Sequence, residues 1–534
     1  MTTYTAITFA PVQGFIEKSR KLRDLYGSSF LLSYLAKNIC EAAKEPEYAA
    51  KEPKYSVISP AIIDVTQGTP NQIIIKGDEA FPAAQAQAVL NETWKDVVET
   101  VRVAIETALP HQPYHWQREW NHWANHAWEF FWGEGQTIDE ARQAINETKR
   151  SRNWVGVNWV GESSTLSGGD GVAWYGMSDQ MHPKKVNMRE INDRINHFYD
   201  ELSREFSNAI IDTNEQLSIP ELVKRLVTLK KIAKKLKIEP KEIPQTFKEI
   251  NRHKDNLEEN LWTGWFQGDG DKIGDYLKNQ VKNNSGDESE VLKEFSKAMM
   301  EWGEGLKRTL PPASANVEEK EGRIIYAGGD DFLGVLYRND KPEFTARECL
   351  DWFDRFPEIW KSHGIPITVS VGFVWTAPGV PQRDVLQHCR ETESLAKANG
   401  RDRLAIRVLF NSGNHLDWHC PWWWLQTLLT SYRDKDKKQP GNWTHIYNDV
   451  AVLESRHAFE NNKEVALELF KIYFGKEQWD KLTNDKYLWN DRTGETIKTG
   501  ILGEESLYPN QAAIDSAITN WIINLAKVGF HLCQ

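Results

Sequence analysis

The stretch Ile324–Leu336, with the sequence IIYAGGDDFLGVL, consists of two apolar runs on either side of Gly328, Gly329, Asp330 and Asp331. The apolar runs predict two strands, and the four residues between them predict a tight hairpin turn. The two glycines can adopt backbone angles closed to other residues, and they leave space for a ligand. Because neighbouring strand residues point to opposite faces, either one aspartate binds a metal ion alone or a distorted turn brings both to it. Hairpins of this composition also occur without a function, so the stretch alone does not decide its role.

A second acidic motif, Asp269-Gly270-Asp271, closes a predicted strand earlier in the chain. In a βαββ arrangement the end of the first strand and the hairpin after the second lie side by side, so we expect Asp269 and Asp330 to converge. Two carboxylates and the backbone carbonyl of Gly270 form an oxygen set that suits Mg²⁺ or Mn²⁺. Paired metal ions beside a glycine turn are typical of phosphoryl transfer.

Two basic residues follow on a later predicted helix and in the loop after it. Lys397 and Arg401 are spaced by about one helical turn. At this spacing both side chains can hold the same phosphate chain.

Length and composition describe a chain of several domains. Its 534 residues are too many for one core, and we expect about three or four domains. The net charge of −11 excludes a protein that binds nucleic acid through its overall charge, and leaves a local patch or partner subunits as the route. The five cysteines form no C-x-x-C pair, no apolar run reaches the length of a membrane span, and the first residues show no signal peptide. We therefore expect a cytoplasmic protein without a membrane partner.

Two parts of the chain have the strand and helix order of an α+β domain. The strand, helix, strand, strand, helix order up to about residue 109 predicts a ferredoxin-like domain, and a second α+β pattern opens at residue 261. Between them lies a charged helical region with a basic stretch formed by Lys224-Arg225, Lys230-Lys231 and Lys234-Lys235. We predict a solvated helix face for this stretch, and the alternative is a contact with phosphate or an acidic partner.

Several motifs together resemble a known family. Asp269-Gly270-Asp271, the Gly328–Asp331 turn and AKANGRDRL at residues 396–404 resemble the palm domain shared by GGDEF diguanylate cyclases and the large subunit of type III CRISPR–Cas effector complexes. The N-terminus distinguishes between the two. It contains FAPVQGFI at 9–16, RDLYGSSFLLS at 23–33 and PNQI at 70–73, which resemble the first, degenerate palm of the Cmr-type (III-B) large subunit. The resemblance extends from residue 1 to about residue 410.

This resemblance implies an α+β fold with two ferredoxin-like palm domains. The expected domains are a first, degenerate palm with a Trp- and His-rich insertion (1–190), a helical linker (191–255), a second palm with the Gly-Gly-Asp-Asp motif (256–410) and a C-terminal helical domain (411–534).

The resemblance also implies an activity and the residues that perform it. Members of the family make cyclic oligoadenylates from ATP through 3′–5′ linkages when a complex of Cmr-type subunits and CRISPR RNA binds its target RNA. The implied catalytic residues and metal ligands are Asp269, Asp330 and Asp331, with Asp331 as the further acidic residue. The implied nucleotide-binding residues are Gly328, Gly329, Gly270 and Asp271, with Lys397 and Arg401 at the phosphates. The first palm lacks the motif and would hold a second ATP without supplying metal ligands.

The sequence departs from many relatives in two respects. It starts directly at the palm and contains no His-Asp dipeptide, so we expect no HD-type nuclease. The segment Ser163–Gly171, the counterpart of a cysteine zinc site in relatives, contains no cysteine, so we expect no zinc.

Three other functions are compatible with parts of the sequence. One is a scaffold subunit whose palm is catalytically inactive, although the intact set of Asp269, Asp330, Lys397 and Arg401 argues against inactivity. A palm nucleotidyltransferase that joins ATP to a different acceptor is the second. The third is a free-standing diguanylate cyclase, which would use GTP and would not need the N-terminal half.

Overall fold

The computed structural model describes residues 2–45, 53–151, 159, 161–179, 187–238, 261–284, 287–313, 316–338, 342–435, 442–460, 462–491 and 498–533. The chain forms two compact units. The first comprises Met1–Glu249 and Leu277–Met300, and the second comprises Ile250–Tyr276 and Glu301–Gln534. Residues 239–255 of the predicted helical linker lie outside the described residues.

Strands and helices alternate along the described residues. The strands are β1 (Thr3–Ala10), β2 (Tyr55–Ser59), β3 (Ile73–Gly77), β4 (Glu129–Gly135), β5 (Thr263–Gly270), β6 (Pro312–Ala313), β7 (Asn316–Lys320), β8 (Arg323–Ala327), β9 (Phe332–Leu336), β10 (Val369–Thr376), β11 (Arg403–Leu409) and β12 (His415–Pro421). The helices are α1 (Gln13–Glu17), α2 (Leu22–Lys44), α3 (Ala83–Ala108), α4 (Gln117–His126), α5 (Ile138–Arg150), α6 (Met188–Phe206), α7 (Ile219–Leu226), α8 (Lys230–Lys235), α9 (Ile273–Asn284), α10 (Glu288–Thr309), α11 (Ala346–Phe353), α12 (Phe356–Lys361), α13 (Gln382–Ala398), α14 (Trp422–Ser431), α15 (Thr444–Ser455), α16 (Lys463–Leu482), α17 (Asp485–Leu488) and α18 (Gln511–Leu532), and a 3₁₀ helix covers Glu505–Leu507. Within this described part, we find no helix that has both the length and the apolar character of a membrane span.

The first sheet belongs to the first unit. Its strands lie in the order β4, β1, β3, β2, and every neighbouring pair is antiparallel. Ile7 of the central strand β1 lies opposite Ile73 of β3 on one side and Trp132 of β4 on the other. With helices after β1 and after β3, this is the order of a ferredoxin-like βαββαβ sheet.

Helices α2 and α3 supply apolar side chains to the core of the first unit. Leu35 and Ile39 of α2 and Leu90 and Val97 of α3 are fully buried, in one cluster with Ile7 of β1. Each aliphatic side chain of this size stabilises the fold by about 1.5–3 kcal/mol when it is removed from water. These contacts hold the helices against the sheet.

The basic stretch of α7 is buried, which contradicts the prediction of a solvated face. Lys224 and Arg225 are almost inaccessible to solvent. Arg225 donates from Nε and Nη2 to both carboxylate oxygens of Asp24, at 2.8 and 2.9 Å, and also forms an ion pair with Glu215. The Lys224 ammonium donates to the backbone oxygen of Lys18 at 2.8 Å. The prediction was wrong for these two residues because α7 packs inside the unit, where each cation has a specific partner.

The second sheet belongs to the second unit. Among the described residues its strands lie in the order β12, β11, β10, β5, β9, β8. The part from β10 to β8 repeats the ferredoxin-like order of the first sheet, again with antiparallel neighbours. The predicted α+β fold with two ferredoxin-like sheets is therefore confirmed.

This sheet continues beyond residue 410, into residues that the sequence analysis assigned to a helical domain. The strand β12 pairs antiparallel with β11. Its signal in the sequence is the alternation of Leu416, Trp418 and Cys420 with polar residues, and Trp418 and Cys420 are buried. The sequence analysis missed this short alternating pattern.

We expect Arg225→Ala to destabilise the first unit strongly. The substitution leaves the carboxylate of Asp24 buried without its cation, while Glu215 keeps its ion pair with Lys21. An unpaired buried charge of this kind costs about 3–5 kcal/mol in free energy of unfolding. The matched control is Lys37→Ala, which removes the more exposed ion pair between Lys37 and Glu41 of α2 and should cost about 0.5 kcal/mol or less. Denaturant unfolding of both variants measures the difference. Equal stability of the two variants would contradict the structural role of Arg225.

Candidate active site

The end of β5 and the turn before β9 lie side by side at one edge of the second sheet. Gly268 of β5 is paired with Phe332 of β9, and the Gly270 amide donates to the carbonyl oxygen of Asp330 at 3.2 Å. A Cβ atom on Gly270 would lie 3.1 Å from the Cβ of Asp330 and 2.7 Å from the Cδ1 of Ile273. Glycine at this position therefore permits the close approach of the two backbones. The convergence expected from the βαββ order is present.

The Gly328–Asp331 turn is not part of either strand. The strand β8 ends at Ala327 and β9 begins at Phe332, and the pairing of β8 with β9 is irregular near Tyr326. Gly329 has a φ of 142°, a conformation that favours glycine. Since both aspartates lie in the turn, the alternation of side chains along a strand does not separate them. The turn geometry alone therefore does not decide between the two arrangements considered for the hairpin.

Asp330 and Asp269 interact electrostatically. Burial, followed by the negative charge of Asp269, raises the pKa of Asp330 to about 7. The negative charge on either carboxylate disfavours ionisation of the other, so Asp269 and Asp330 do not readily carry a charge at the same time. The pair therefore attracts a cation above neutral pH.

Asp331 is held by a tyrosine. The Tyr326 hydroxyl lies 3.2 Å from each carboxylate oxygen of Asp331. Surrounding protein atoms and the charges of Asp269 and Asp330 raise the pKa of Asp331. The residue is also exposed, so water screens part of this effect.

Lys397, on α13, contacts the same end of the second sheet. Its ammonium forms an ion pair with Asp269 and lies 2.6 Å from Oε1 of Glu393, one turn earlier on the same helix. Burial opposes the charged form, but the hydrogen bonds to Asp269 and Glu393 raise the pKa of Lys397. The sequence analysis missed Glu393, whose signal was its i,i+4 spacing from Lys397. Gln267 of β5 donates to the other oxygen of Glu393 at 3.2 Å.

Asp271 has a different position from its neighbours. It is buried, and its carboxylate accepts from the hydroxyls of Thr368 and Ser370, at 2.8 and 2.7 Å, and from the amide of Asp402 at 3.0 Å. Burial raises the pKa of Asp271, although the hydrogen bonds from the two hydroxyls oppose the shift. In this position the carboxylate supports the loop that carries Arg401. The predicted contact of Asp271 with a nucleotide stays a prediction.

That loop has an unusual backbone. Gly400, Arg401 and Asp402 have φ values of 115°, 64° and 49°. The Arg401 amide donates to the carbonyl oxygen of Ala396 at 3.2 Å, which closes the end of α13. The Arg401 side chain is half-buried.

The carboxylates offer a limited set of metal ligands. Across the described ranges, no group of three or more His, Cys, Asp or Glu side chains is arranged to hold a metal ion, so Asp269, Asp330 and Asp331 do not form the predicted three-carboxylate set. Asp269 and Asp330 remain as an adjacent pair of hard oxygen donors. Mg²⁺ in phosphoryl-transfer sites is commonly held by one or two carboxylates together with water and substrate phosphates. Burial, and after it the charge of Asp269, raises the pKa of Asp330. A divalent cation would favour the ionised form of both carboxylates, so the pair fits Mg²⁺ or Mn²⁺.

Two family models match the chain in the regions of the two sheets. "Cas10/Cmr2, second palm domain" matches residues 263–405, and "CRISPR-associated protein Cmr2, N-terminal" matches residues 4–99. In these two regions the chain has the sequence pattern of a Cas10/Cmr2 protein. The first of these models covers every residue of the candidate site.

A solved structure of a type III-B complex contains a chain with a similar fold. A chain of the type III-B Cmr-beta complex in its apo state, determined by cryo-EM, has 11% identity and a TM-score of 0.54, and the match covers 99% of this chain and 82% of that one. A Csm1–Csm4 cassette in complex with cA3 has 12% identity and a TM-score of 0.45, and one in complex with one ATP has 14% and 0.41. Each of these two matches covers 100% of this chain and 70% of the solved Csm1–Csm4 chain. The similarity to the Cmr-beta chain shows a shared fold and nothing more. The two Csm1–Csm4 matches carry no argument. No curated protein matches the chain.

We expect Asp330→Asn to change how stability depends on pH and on metal ions. The pKa of Asp330 is higher in the folded protein than in the unfolded chain, so its contribution to stability is complete at low pH and is lost as the pH rises through about 7. Without metal ions, the asparagine variant should gain about 2–4 °C in Tm relative to wild type between pH 5.5 and pH 8.5. At pH 8.5, MgCl₂ should raise the Tm of wild type but not that of the variant.

Thermal unfolding by calorimetry measures both effects. The control is Asp480→Asn, at an exposed position of α16, which should follow the wild type in both respects. A magnesium response that persists in Asp330→Asn would exclude Asp330 as a ligand.

Proposed function

We propose that this chain synthesises cyclic oligoadenylates from ATP, as the large subunit of a type III-B complex that is activated by target RNA. The adjacency of Asp269 and Asp330, with Lys397 in contact with Asp269, carries the proposal. This arrangement lies in the part of the chain that matches the second palm of Cas10/Cmr2. Other Cmr-type subunits and CRISPR RNA would be the partners of the chain, and the cytoplasm its compartment.

The nucleotide would bind at the edge formed by the Gly328–Asp331 turn and the end of β5. Gly328, Gly329 and Gly270 leave the backbone accessible there because they have no side chains. Lys397 and Arg401, at the end of α13, would bind the triphosphate oxygens through charge-assisted hydrogen bonds. When ATP binds, the Lys397 ammonium can exchange its contact with Asp269 for a contact with phosphate.

The carboxylates would serve the chemical step. Asp269 and Asp330 would hold divalent cations, which lower the pKa of the attacking hydroxyl and neutralise the charge of the triphosphate. The 3′-oxygen of one nucleotide forms a bond to the α-phosphorus of the next, and the bond from that phosphorus to pyrophosphate breaks. Asp331, whose pKa is raised, suits the acceptance of the hydroxyl proton. Repetition of this step and a final closure give a cyclic product.

The first sheet would hold a second ATP. Phe9 and Ala10 close β1, whereas Asp269 and Gly270 close β5, so the end of β1 has no carboxylate at the corresponding position. The domain limits of 1–190, 191–255, 256–410 and 411–534, and the expectation of no zinc and no HD-type nuclease, stay predictions within this proposal.

The double substitution Asp330→Ala with Asp331→Ala should abolish product formation. The assembled complex is incubated with ATP, Mg²⁺ and matching target RNA, and the products are identified by mass spectrometry. Asp480→Ala in the same complex is the control and should leave the yield unchanged. Synthesis that survives the double substitution would overturn the assignment of the site.

The nature of the product separates the proposal from its alternatives. ATP turnover that depends on target RNA, with cyclic adenylate products, supports the proposal. Joining of ATP to another small molecule would indicate a different nucleotidyltransferase, and GTP turnover by the isolated chain would indicate a diguanylate cyclase. A complex that assembles and binds target RNA but turns over neither nucleotide would indicate a scaffold subunit.

A further inference from the structure

Arg403 is a buried cation two residues after Arg401. It begins β11, and its side chain is inaccessible to solvent. Burial lowers the pKa of Arg403 to about 10. A guanidinium in such a place requires acceptors for all of its N–H groups, because an unpaired buried donor costs free energy.

All five N–H groups of Arg403 have neutral acceptors. Nε donates to the carbonyl oxygen of Arg401 at 3.1 Å, within the same loop. Nη1 and Nη2 donate to acceptors elsewhere in the fold, which are Nδ1 of His419 (3.1 Å), the oxygen of Ile501 (2.9 Å), Oγ1 of Thr499 (2.8 Å) and the oxygen of Gly500 (2.7 Å). Three of these acceptors come from one short segment, residues 499–503, which we call the Thr499–Gly503 turn.

The Thr499–Gly503 turn also touches the backbone of the Arg401 loop directly. The Thr499 hydroxyl donates to the carbonyl oxygen of Gly400 at 2.8 Å. A Cβ atom on Gly400 would lie 2.6 Å from the Cα of Gly503, and a Cβ atom on Gly503 would lie 2.4 Å from the oxygen of Asn399. The two backbones are therefore packed as closely as glycines allow.

The opposite side of the turn is fixed to the C-terminal helices. The amide of Ile501 donates to the oxygen of Tyr487 at 2.8 Å, and the amide of Leu502 donates to the oxygen of Leu488 at 3.0 Å. The side-chain oxygen of Asn490 accepts from the Gly500 amide at 2.8 Å. A displacement of α17 would therefore be transmitted to the Arg401 loop.

The conformation of the loop makes this support necessary. Arg401 and Asp402 are consecutive non-glycine residues with positive φ, and each such residue costs about 1–3 kcal/mol unless its surroundings impose the conformation. Asp271 holds the loop from the strand end through the Asp402 amide. The Thr499–Gly503 turn and Arg403 hold it from the other side.

We propose that the Thr499–Gly503 turn, acting through Arg403, is a positioning element that places Arg401 for the triphosphate of ATP. Nucleotide affinity then depends on how the C-terminal helices hold this turn. The inference rests on the proposed function for the role of Arg401, but it concerns nucleotide binding and can be measured without synthesis.

The decisive measurement is the affinity of the assembled complex for AMPPNP in a double-mutant cycle. Thr499→Val keeps the shape of the side chain and removes its hydrogen bonds to Gly400 and Arg403. We expect it to raise the Kd for AMPPNP and the KM for ATP by about fivefold to tenfold, with kcat within about twofold of wild type. In an Arg401→Ala background the same substitution should have no further effect on Kd, because the turn acts through Arg401.

Two controls accompany the cycle. Thr499→Ser retains the hydroxyl and should restore the wild-type Kd. Thr430→Val makes the same chemical change at an exposed position of α14 and should leave the Kd unchanged. If Thr499→Val does not fold, Asn490→Ala, which loosens the turn from its other side, should give the same pattern.

An unchanged Kd in Thr499→Val, or an equal loss of affinity with and without Arg401, would overturn the positioning role. A wild-type complex that binds AMPPNP but makes no product would overturn the proposed function and leave the cycle measurable. A wild-type complex that binds no AMPPNP would overturn both.

Discussion

The antiparallel pairing of β5 with β9 is the constraint on which the candidate site depends. Because Gly268 is opposite Phe332, the strand end with Asp269 and the turn with Asp330 meet at one edge of the sheet. Burial and the mutual repulsion of Asp269 and Asp330 disfavour the ionised pair in the folded protein at high pH. The geometry that produces this electrostatic cost would also favour a bound cation.

The surroundings of the pair are arranged to limit this cost. Lys397 contributes a positive charge from α13, and Glu393 fixes that charge in turn. Asp271, although adjacent in sequence, is turned into the protein and accepts three hydrogen bonds. The two carboxylates of this motif thus have different surroundings, since Asp269 lies beside Asp330 and Lys397, and Asp271 supports a loop.

Much of this arrangement could be predicted from local sequence. The order of strands and helices indicates both ferredoxin-like sheets, and with it the convergence of Asp269 and Asp330. Burial could not be predicted in the same way. The cations of α7 have the composition of a solvated face, but their partners, such as Asp24, are distant in the chain. The inward orientation of Asp271 depends likewise on Thr368 and Ser370, which sit on another strand or next to it. The support of Arg401 by Thr499 joins residues so far apart that only the folded chain reveals it.

The two sheets have the same strand order but very different connections at one place. In the second sheet the link between β8 and β9 is the tight Gly328–Asp331 turn, whereas in the first sheet residues 60–72 link β2 to β3. A ferredoxin-like sheet therefore accepts a long connection at this position as readily as a short one. The brevity of the Gly328–Asp331 turn is not a demand of the topology. The length of this connection differs between the two sheets of the chain while the strand order is kept, so it can vary independently of the architecture.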